Sequence, residues 1–571
     1  MRRASALLAS ALFLGLPALA DRVLTQDGRV LSPKKAREEG GGYKLTFENG
    51  VLVLSDKQAV QSVEIEGDMS EYVPKDDDEK AKLDQGYVKY RGKWLSKPAF
   101  EQELRKEHDA SKARTEELAA HADWRNAWTR ETKHFLFKSN TSPEVLDYYC
   151  ELLEAYYNLM DQRIGINPSP SMRRTKMTIN IYKTYDEFLE LSDSRAGVSP
   201  GVLGYFWSFD KTLNFFHDYS EPSLSTWVAL HECTHLLTYL IDQQYVSQIW
   251  LNEGMADYFG SSKVERDKNG KLVITPGELQ TDRVLTVQEA IKNEKADGVK
   301  TGAPGEADSG GKQKGKKVRF KDRPFTTLEQ LFFLTHDEYD GFQYAFGWAF
   351  VYFLNNFDHG KYQSKFNKFF KSLYTLEKGL EIESVATGGL TGNGKMVSPA
   401  NIRAFLLKRL GLKDKDEEQL EKDWRTFMEQ IPIAGPEARL KRGLYLMQRM
   451  DFENALADLN AAIEGGASDP RAFWARGKCL MFEKGPKAGL EDLKKAVGLE
   501  PLNQLFHYDL SNAMAGHLTL GSRFGGGGVN FSTKNDDDKK IDNPEAKQEA
   551  GLAMELDPEN DLYREWFEHF Q

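Results

Sequence analysis

A chain of 571 residues, 40% of them hydrophobic, has the material for two or more domains with cores of their own. Its net charge of −11 argues against general nucleic-acid binding. Its three cysteines, Cys150, Cys233 and Cys479, are too few and too scattered for a disulfide framework.

Residues 1–20 have a basic start, an apolar run and small Ala18 and Ala20 ahead of Asp21. That is the pattern of a secretory signal peptide, and it predicts export to the periplasm or the exterior. The apolar run is too short to favour a permanent membrane helix, and no cysteine follows the cleavage position to take a lipid. No stable membrane insertion is expected. Over 21–67, short alternating strands meet at Asp27-Gly28 and Asn49-Gly50, both hairpin signals, and predict a small β-barrel-like domain. Residues 68–121 read as a connection: the acidic run Asp76, Asp77, Asp78, Glu79 as solvated linker, then a hairpin over 87–95 and a charged helix over 101–121.

An α+β domain is predicted over 122–433. Strands are expected at 132–139 and 176–182, with an amphipathic helix between them that carries Leu146, Tyr149, Leu152, Leu153 and Tyr156 on its apolar side. A hairpin of 204–209 with 212–216 follows. Its aromatics, Tyr205 and Trp207 among them, either line subsites for an extended peptide added to the strand edge or belong to a core hairpin.

The chemistry gathers over Thr226 to Phe259. On a helix, His231 and His235 project from one face and can reach a single metal ion. Glu232 lies about 100° round the helix from His231, placed to hold and deprotonate a water beside the metal as general base. A catalytic zinc needs a third protein ligand, and Glu253, on a second helix after a short connection, is the candidate. Asp257, one turn later, can accept a hydrogen bond from the far nitrogen of a ligand histidine. Cys233 is read as packing. With 11 His in 571 residues, roughly 0.03 pairs at this spacing with an acid after the first are expected by chance, so coincidence is a poor explanation.

His231-Glu232-Cys233-Thr234-His235 followed by Trp250-Leu251-Asn252-Glu253-Gly254-Met255-Ala256-Asp257 resembles the gluzincin metallopeptidases, the group of thermolysin-like enzymes and the aminopeptidase N family. More narrowly, the chain is similar to a bacterial family of secreted gluzincin-like proteins with C-terminal helical repeats. The resemblance, strong over about 226–260, implies one zinc held by His231, His235 and Glu253, Glu232 as catalytic base, and Asp257 behind the ligands. No Gly-x-Met-x-Asn segment precedes the motif, so the exopeptidase action of the aminopeptidase relatives is not supported.

Residues 293–315, rich in Gly, Lys, Asp and Ser, read as a mobile loop. An apolar helix is expected over 344–354. Tyr344 is the candidate donor to the oxyanion formed on amide attack, with Tyr339 and His336 behind it. Beyond 434, Gly443 recurs as Gly477, Leu459 as Leu493 and Ala462 as Ala496, at the 34-residue period of tetratricopeptide-like helix pairs. These repeats are assigned to 434–571, with a flexible segment at 521–540, and either hold a protein partner or brace the domain before them. The expected fold is therefore α+β and multidomain: a small N-terminal β-domain, a gluzincin-like domain and a C-terminal helical repeat. Two functions stand: an exported zinc endopeptidase acting on peptide or protein, and a non-enzymatic exported scaffold. Glu232 favours the first, because a scaffold has no need of a base.

Overall fold

The computed structural model describes residues 21–571 except 65–73, 91–92, 169, 171, 173–174, 197, 199–200, 298–322, 379, 387–392, 521–528, 532–540 and 559. The signal-peptide reading of 1–20, the flexible readings within 521–540 and most of the loop reading of 293–315 fall outside the described residues. The described chain is α+β, with a small β-rich N-terminal region and many C-terminal helices, as expected. It divides into two compact units: residues 1–120 with 497–515 and 536–571, and residues 121–496 with 516–535. Among the described residues no helix is long and apolar enough to cross a membrane.

The first unit begins with β1 (Arg22–Thr25), β2 (Val30–Leu31), β3 (Lys35–Glu39), β4 (Gly42–Thr46), β5 (Val51–Leu54) and β6 (Val60–Glu64). They form two antiparallel three-stranded sheets, ordered β2-β1-β6 and β3-β4-β5. Gly28, at φ +87°, makes the β1–β2 turn that a side chain would resist. Alternation along β5 buries Leu52 and Leu54 and leaves Val51 and Val53 outside, the period-2 pattern of a half-buried strand. The acidic run expected to be linker instead starts a helix, α1 (Asp77–Asp84). Asp76 caps it by accepting the Glu79 N–H at 2.8 Å, and acids suit the positive end of a helix dipole. A hairpin of β7 (Tyr87–Tyr90) and β8 (Lys93–Ser96) and the helix α2 (Lys97–His121) follow.

The second unit is built on one five-stranded sheet from β9 (Trp128–Glu131), β10 (Phe135–Ser139), β11 (Met177–Tyr182), β12 (Gly204–Trp207) and β13 (Thr212–Phe216), in the order β12-β13-β11-β10-β9. The central β10, β11 and β13 run parallel, and β9 and β12 are antiparallel edges. Helices α3 (Pro143–Ile164) and α4 (Tyr185–Ala196) connect the strands. Alternate side chains face two cores: Ile181 and Phe215 join the large one, Tyr182 and Phe216 pack with Phe188 of α4. Burial on both faces is why these strands read as apolar runs.

After β13 come α5 (Pro222–Ile241), α6 (Ile249–Gly260), the hairpin β14 (Lys263–Arg266) with β15 (Leu272–Thr275), and α7 (Thr281–Asp297). Then follow α8 (Leu328–Phe333), α9 (Gly341–Asn356), α10 (Gln363–Tyr374), the hairpin β16 (Ile382–Ala386) with β17 (Asn393–Val397), α11 (Pro399–Leu410) and α12 (Glu417–Gln430).

Two helix pairs follow: α13 (Gly435–Gln448) with α14 (Phe452–Glu464), and α15 (Arg471–Lys484) with α16 (Leu490–Leu499), the division between the units falling within α16 after Ala496. The 34-residue recurrence has a packing cause. A Cβ on Gly443 would lie 2.6 Å from Leu459 Cγ, and one on Gly477 would lie 3.0 Å from Leu493 Cγ. Each pair also ties an Arg to an Asp, Arg442 to Asp458 and Arg476 to Asp492.

The last helices, α17 (Gln504–Ala515), α18 (Pro544–Leu556) and α19 (Asp561–Glu568), belong to the first unit. Leu552 and Leu556 of α18 complete the core formed by Val23, Leu31, Leu45 and Leu52 of the sheets. The Asn49-Gly50 turn of the β4–β5 hairpin lies directly on α18: a Cβ on Gly50 would come 2.8 Å from Leu552 Cγ, and one on Gly551 would come 2.3 Å from Asn49 Cβ.

Candidate metal centre

Helix α5 is apolar around most of its surface, and its rotation is set by hydroxyl contacts with α3. Tyr148 Oη lies 2.9 Å from Thr226 Oγ1, and Tyr156 Oη lies 2.6 Å from Thr234 Oγ1. Cys233 is fully buried in the core with its thiol free, and burial pushes that thiol up from its ordinary range. That rotation turns His231 and His235 toward α6.

The connection to α6 is pinned by β17. Val246 N–H donates to Lys395 O at 2.8 Å and Lys395 N–H donates to Gln244 O at 2.7 Å. On its other side α6 crosses α9 at two glycines. A Cβ on Gly254 would lie 2.6 Å from Gly347 O, and one on Gly347 would lie 3.0 Å from Trp250 O and 2.0 Å from Tyr339 Oη. Only hydrogen at both positions lets the backbones come this close. The crossing brings Glu253, beside Gly254, to the histidines and to the start of α9.

The Nε2 atoms of His231 and His235 lie 3.3 Å apart. Glu253 Oε2 is 3.5 Å from the first and 3.7 Å from the second. One ligand atom from each residue falls within 4.8 Å of the others, so His231, His235 and Glu253 form a group that can hold a metal ion. Among the described residues no other such group occurs.

Burial works to neutralise the Glu253 carboxyl, yet the imidazoles of His235 and His231 outweigh it and hold the group well below the usual carboxylate range. Burial likewise opposes charge on His231, but the carboxylates of Asp257, Glu253 and Glu232 prevail and raise the imidazole to about 10. His235 is raised as well, Glu253 overcoming burial. The pocket therefore calls for positive charge at the point where the three donor atoms meet.

Behind His231, Asp257 is wholly buried, with Oδ1 3.1 Å from His231 Nδ1 and Oδ2 3.1 Å from Arg283 Nη2. Arg283, near the start of α7, was not singled out from the sequence: one arginine 26 residues beyond Asp257, among 76 basic residues, carries no local signal. Trp227 was also missed; its ring lies 5.0 Å from that of His231, and a Cβ on Gly260 would crowd both residues.

Glu232 points to the exposed edge of the sheet, where its Oε2 accepts the Phe206 N–H at 3.0 Å. Tyr344 faces the centre from α9. Burial first, then Glu253 and Asp257, push its phenol upward, so it stays protonated and able to donate. The Arg283 guanidinium sits 5.8 Å from the Tyr344 ring centroid. Tyr339 packs on Tyr344 with centroids 4.8 Å apart, and its buried hydroxyl has no hydrogen-bond partner among the described residues. His336 lies exposed on the turn before α9.

Tyr205 is not brought to this group. On β12, Gly204 and Phe206 face α5, where a Cβ on Gly204 would meet Val228 and the Phe206 ring lies 5.3 Å from Tyr239. Tyr205 alternates to the other face and packs 5.9 Å from Phe188 in the smaller core. Trp207 sits near the hairpin tip beside Phe209, with centroids 5.6 Å apart. Compared with known protein families and with curated proteins, the chain has no match.

Proposed function

We propose that the chain is an exported, zinc-dependent endopeptidase of the gluzincin type. The observation that carries this reading is the convergence of His231, His235 and Glu253 on one point, with Glu232 beside it and Asp257 behind. Zinc is favoured over other dications by the donor set and the spacing. Bonds of about 2.0–2.1 Å in a tetrahedron put ligand atoms roughly 3.3 Å apart, close to the separations of 3.3, 3.5 and 3.7 Å here. Two nitrogens and one oxygen also leave a fourth position open, as a catalytic site requires.

Zinc held there supplies a Lewis acid that polarises a carbonyl and acidifies water. The chain's own residues do the rest. Asp257 orients His231 through Nδ1, leaving Nε2 free as a donor atom. Glu232 takes a proton from the attacking water and delivers it to the departing amine. The Phe206 N–H keeps that carboxylate aimed at the free edge of β12, where an extended peptide can pair. Tyr344, protonated and facing the same point, donates to the oxyanion of the tetrahedral intermediate. The basic and apolar pattern of residues 1–20 supports a secreted or periplasmic setting, which goes with a peptide or protein substrate.

The test is metal content of the purified protein together with hydrolysis of a mixed peptide library. One zinc per chain, cleavage by the native protein and none by Glu232→Gln with its zinc retained is the expected result. Zinc without cleavage in the native protein would replace the enzyme by a metal-bearing scaffold. Glu253→Ala is expected to release the metal, and full retention would show that the third ligand lies elsewhere.

A further inference from the structure

Helix α7 is half-buried to buried along most of its length and is held at several points. At its start, Arg283 reaches inward to Asp257 at 3.1 Å, and Gln280, just ahead of the helix, donates to Asp257 O at 3.0 Å. One turn on, Thr286 Oγ1 lies 3.0 Å from Tyr445 Oη of α13, and Glu289 pairs with Arg449 Nη1 at 2.9 Å. Gln288 donates to Met428 O and Ile431 O at the end of α12, each at 3.0 Å, and Glu294 pairs with Arg425. The first helix of the repeat pairs thus grips the helix that carries Arg283 to the back of the metal centre.

We propose that the α13–α14 pair works as an internal partner of α7, and that Arg283 is a positioning residue through which this grip reaches His231. The inference rests on the metal-binding part of the function proposed above. Asp257 is wholly buried one turn after Glu253, and a carboxylate so placed needs a paired cation to stay oriented. Arg283 occupies Oδ2, which leaves Oδ1 for His231 Nδ1 and so decides which imidazole nitrogen faces the ion. Arg283 lies only two residues into α7, and a helix moves as a rod. Where the guanidinium sits therefore depends on what holds residues 286–294: α9 packs along the helix, and α12 and α13 fix it through Gln288, Glu294, Thr286 and Glu289. The side of α13 that carries Tyr445, in this arrangement, already has a partner, and it is a helix of the same unit.

Full-length protein is titrated with zinc against a chelator of known affinity, and the cobalt-substituted form is followed by its visible absorption as a signature of site geometry. Arg283→Met is expected to weaken zinc binding by about 10–100-fold and to alter the cobalt spectrum, with Arg283→Lys restoring part of the affinity. In an Asp257→Asn background, Arg283→Met should change nothing further, because its partner is already gone. Glu289→Arg should weaken zinc severalfold, and adding Arg449→Glu should recover it. This charge exchange leaves the buried site untouched and so keeps the test clear of misfolding. Affinity within about twofold of native for Arg283→Met, or an equal loss in both backgrounds, would overturn the role of Arg283. A Glu289→Arg protein with native affinity, or one that Arg449→Glu fails to rescue, would overturn the coupling through α7. Native protein that takes up no zinc would remove the parent reading as well, which separates the two failures.

Discussion

Tyr344 stands one turn before Gly347, where α9 meets α6, so its hydroxyl faces the acids of α6. A protonated phenol at that place can stabilise charge that develops only in the transition state. Tyr344→Phe is expected to lower kcat by about 10²–10³-fold with little change in KM and none in bound zinc. Steady-state kinetics and metal analysis on the same preparation check it; an unchanged kcat would leave Tyr344 a packing residue. Tyr339 is the contrasting case. Its ring supports Tyr344, but its hydroxyl is shut in over Gly347, away from any route to substrate.

At the scale of elements, the site depends on how closely α6 and α9 approach. Gly347→Ala places a methyl on Tyr339 and against the Trp250 carbonyl, so the helices must separate. The cost is expected to be about 1–3 kcal/mol, read as a lower melting temperature of the metal-free protein. The same separation moves Tyr344 away from Glu253, so kcat should fall beyond what the lost stability explains. A native melting temperature would mean that the crossing is looser than the contacts indicate. Edge strand β12 contributes in another way: its backbone, through Phe206, addresses Glu232, while the Tyr205 side chain goes to the opposite face.

At the scale of the whole molecule, the two ends of the chain share one core. Leu552, 2% exposed, comes from the last helices and sits among side chains of the first six strands. Leu552→Ala is expected to cost about 2–5 kcal/mol, all of it in the first unit. Limited proteolysis should then cut within residues 21–64 faster, while zinc affinity, a property of the second unit, stays native. Equal loss in both would show that the units unfold together. Leu552 and Leu556 thus serve the N-terminal sheets.

Much of the centre was legible because its signals are local. A spacing of four on a helix puts His231 and His235 on one face in any fold, and Glu253 and Asp257, again four apart, share a face of the next helix. Hairpin turns, the apolar side of α3 and the glycines at period 34 are equally local, each fixed by dihedral preference or by the period of one element. The capping role of Asp76 was local too, but an acidic run reads as solvated until a helix is seen to start there. What only the tertiary structure decided is whatever depends on two distant segments meeting. Arg283 reaches Asp257 because α7 lies across the back of α6, and Leu552 fills a core whose other buried members, Leu556 aside, lie between Val23 and Val63, near the opposite end of the sequence. The face of β12 that Tyr205 takes depends on which side α5 covers, since alternation gives the period of a strand and not its orientation. Periodicity is a property of a segment, whereas contact is a property of pairs, and no segment alone carries the geometry of its partner.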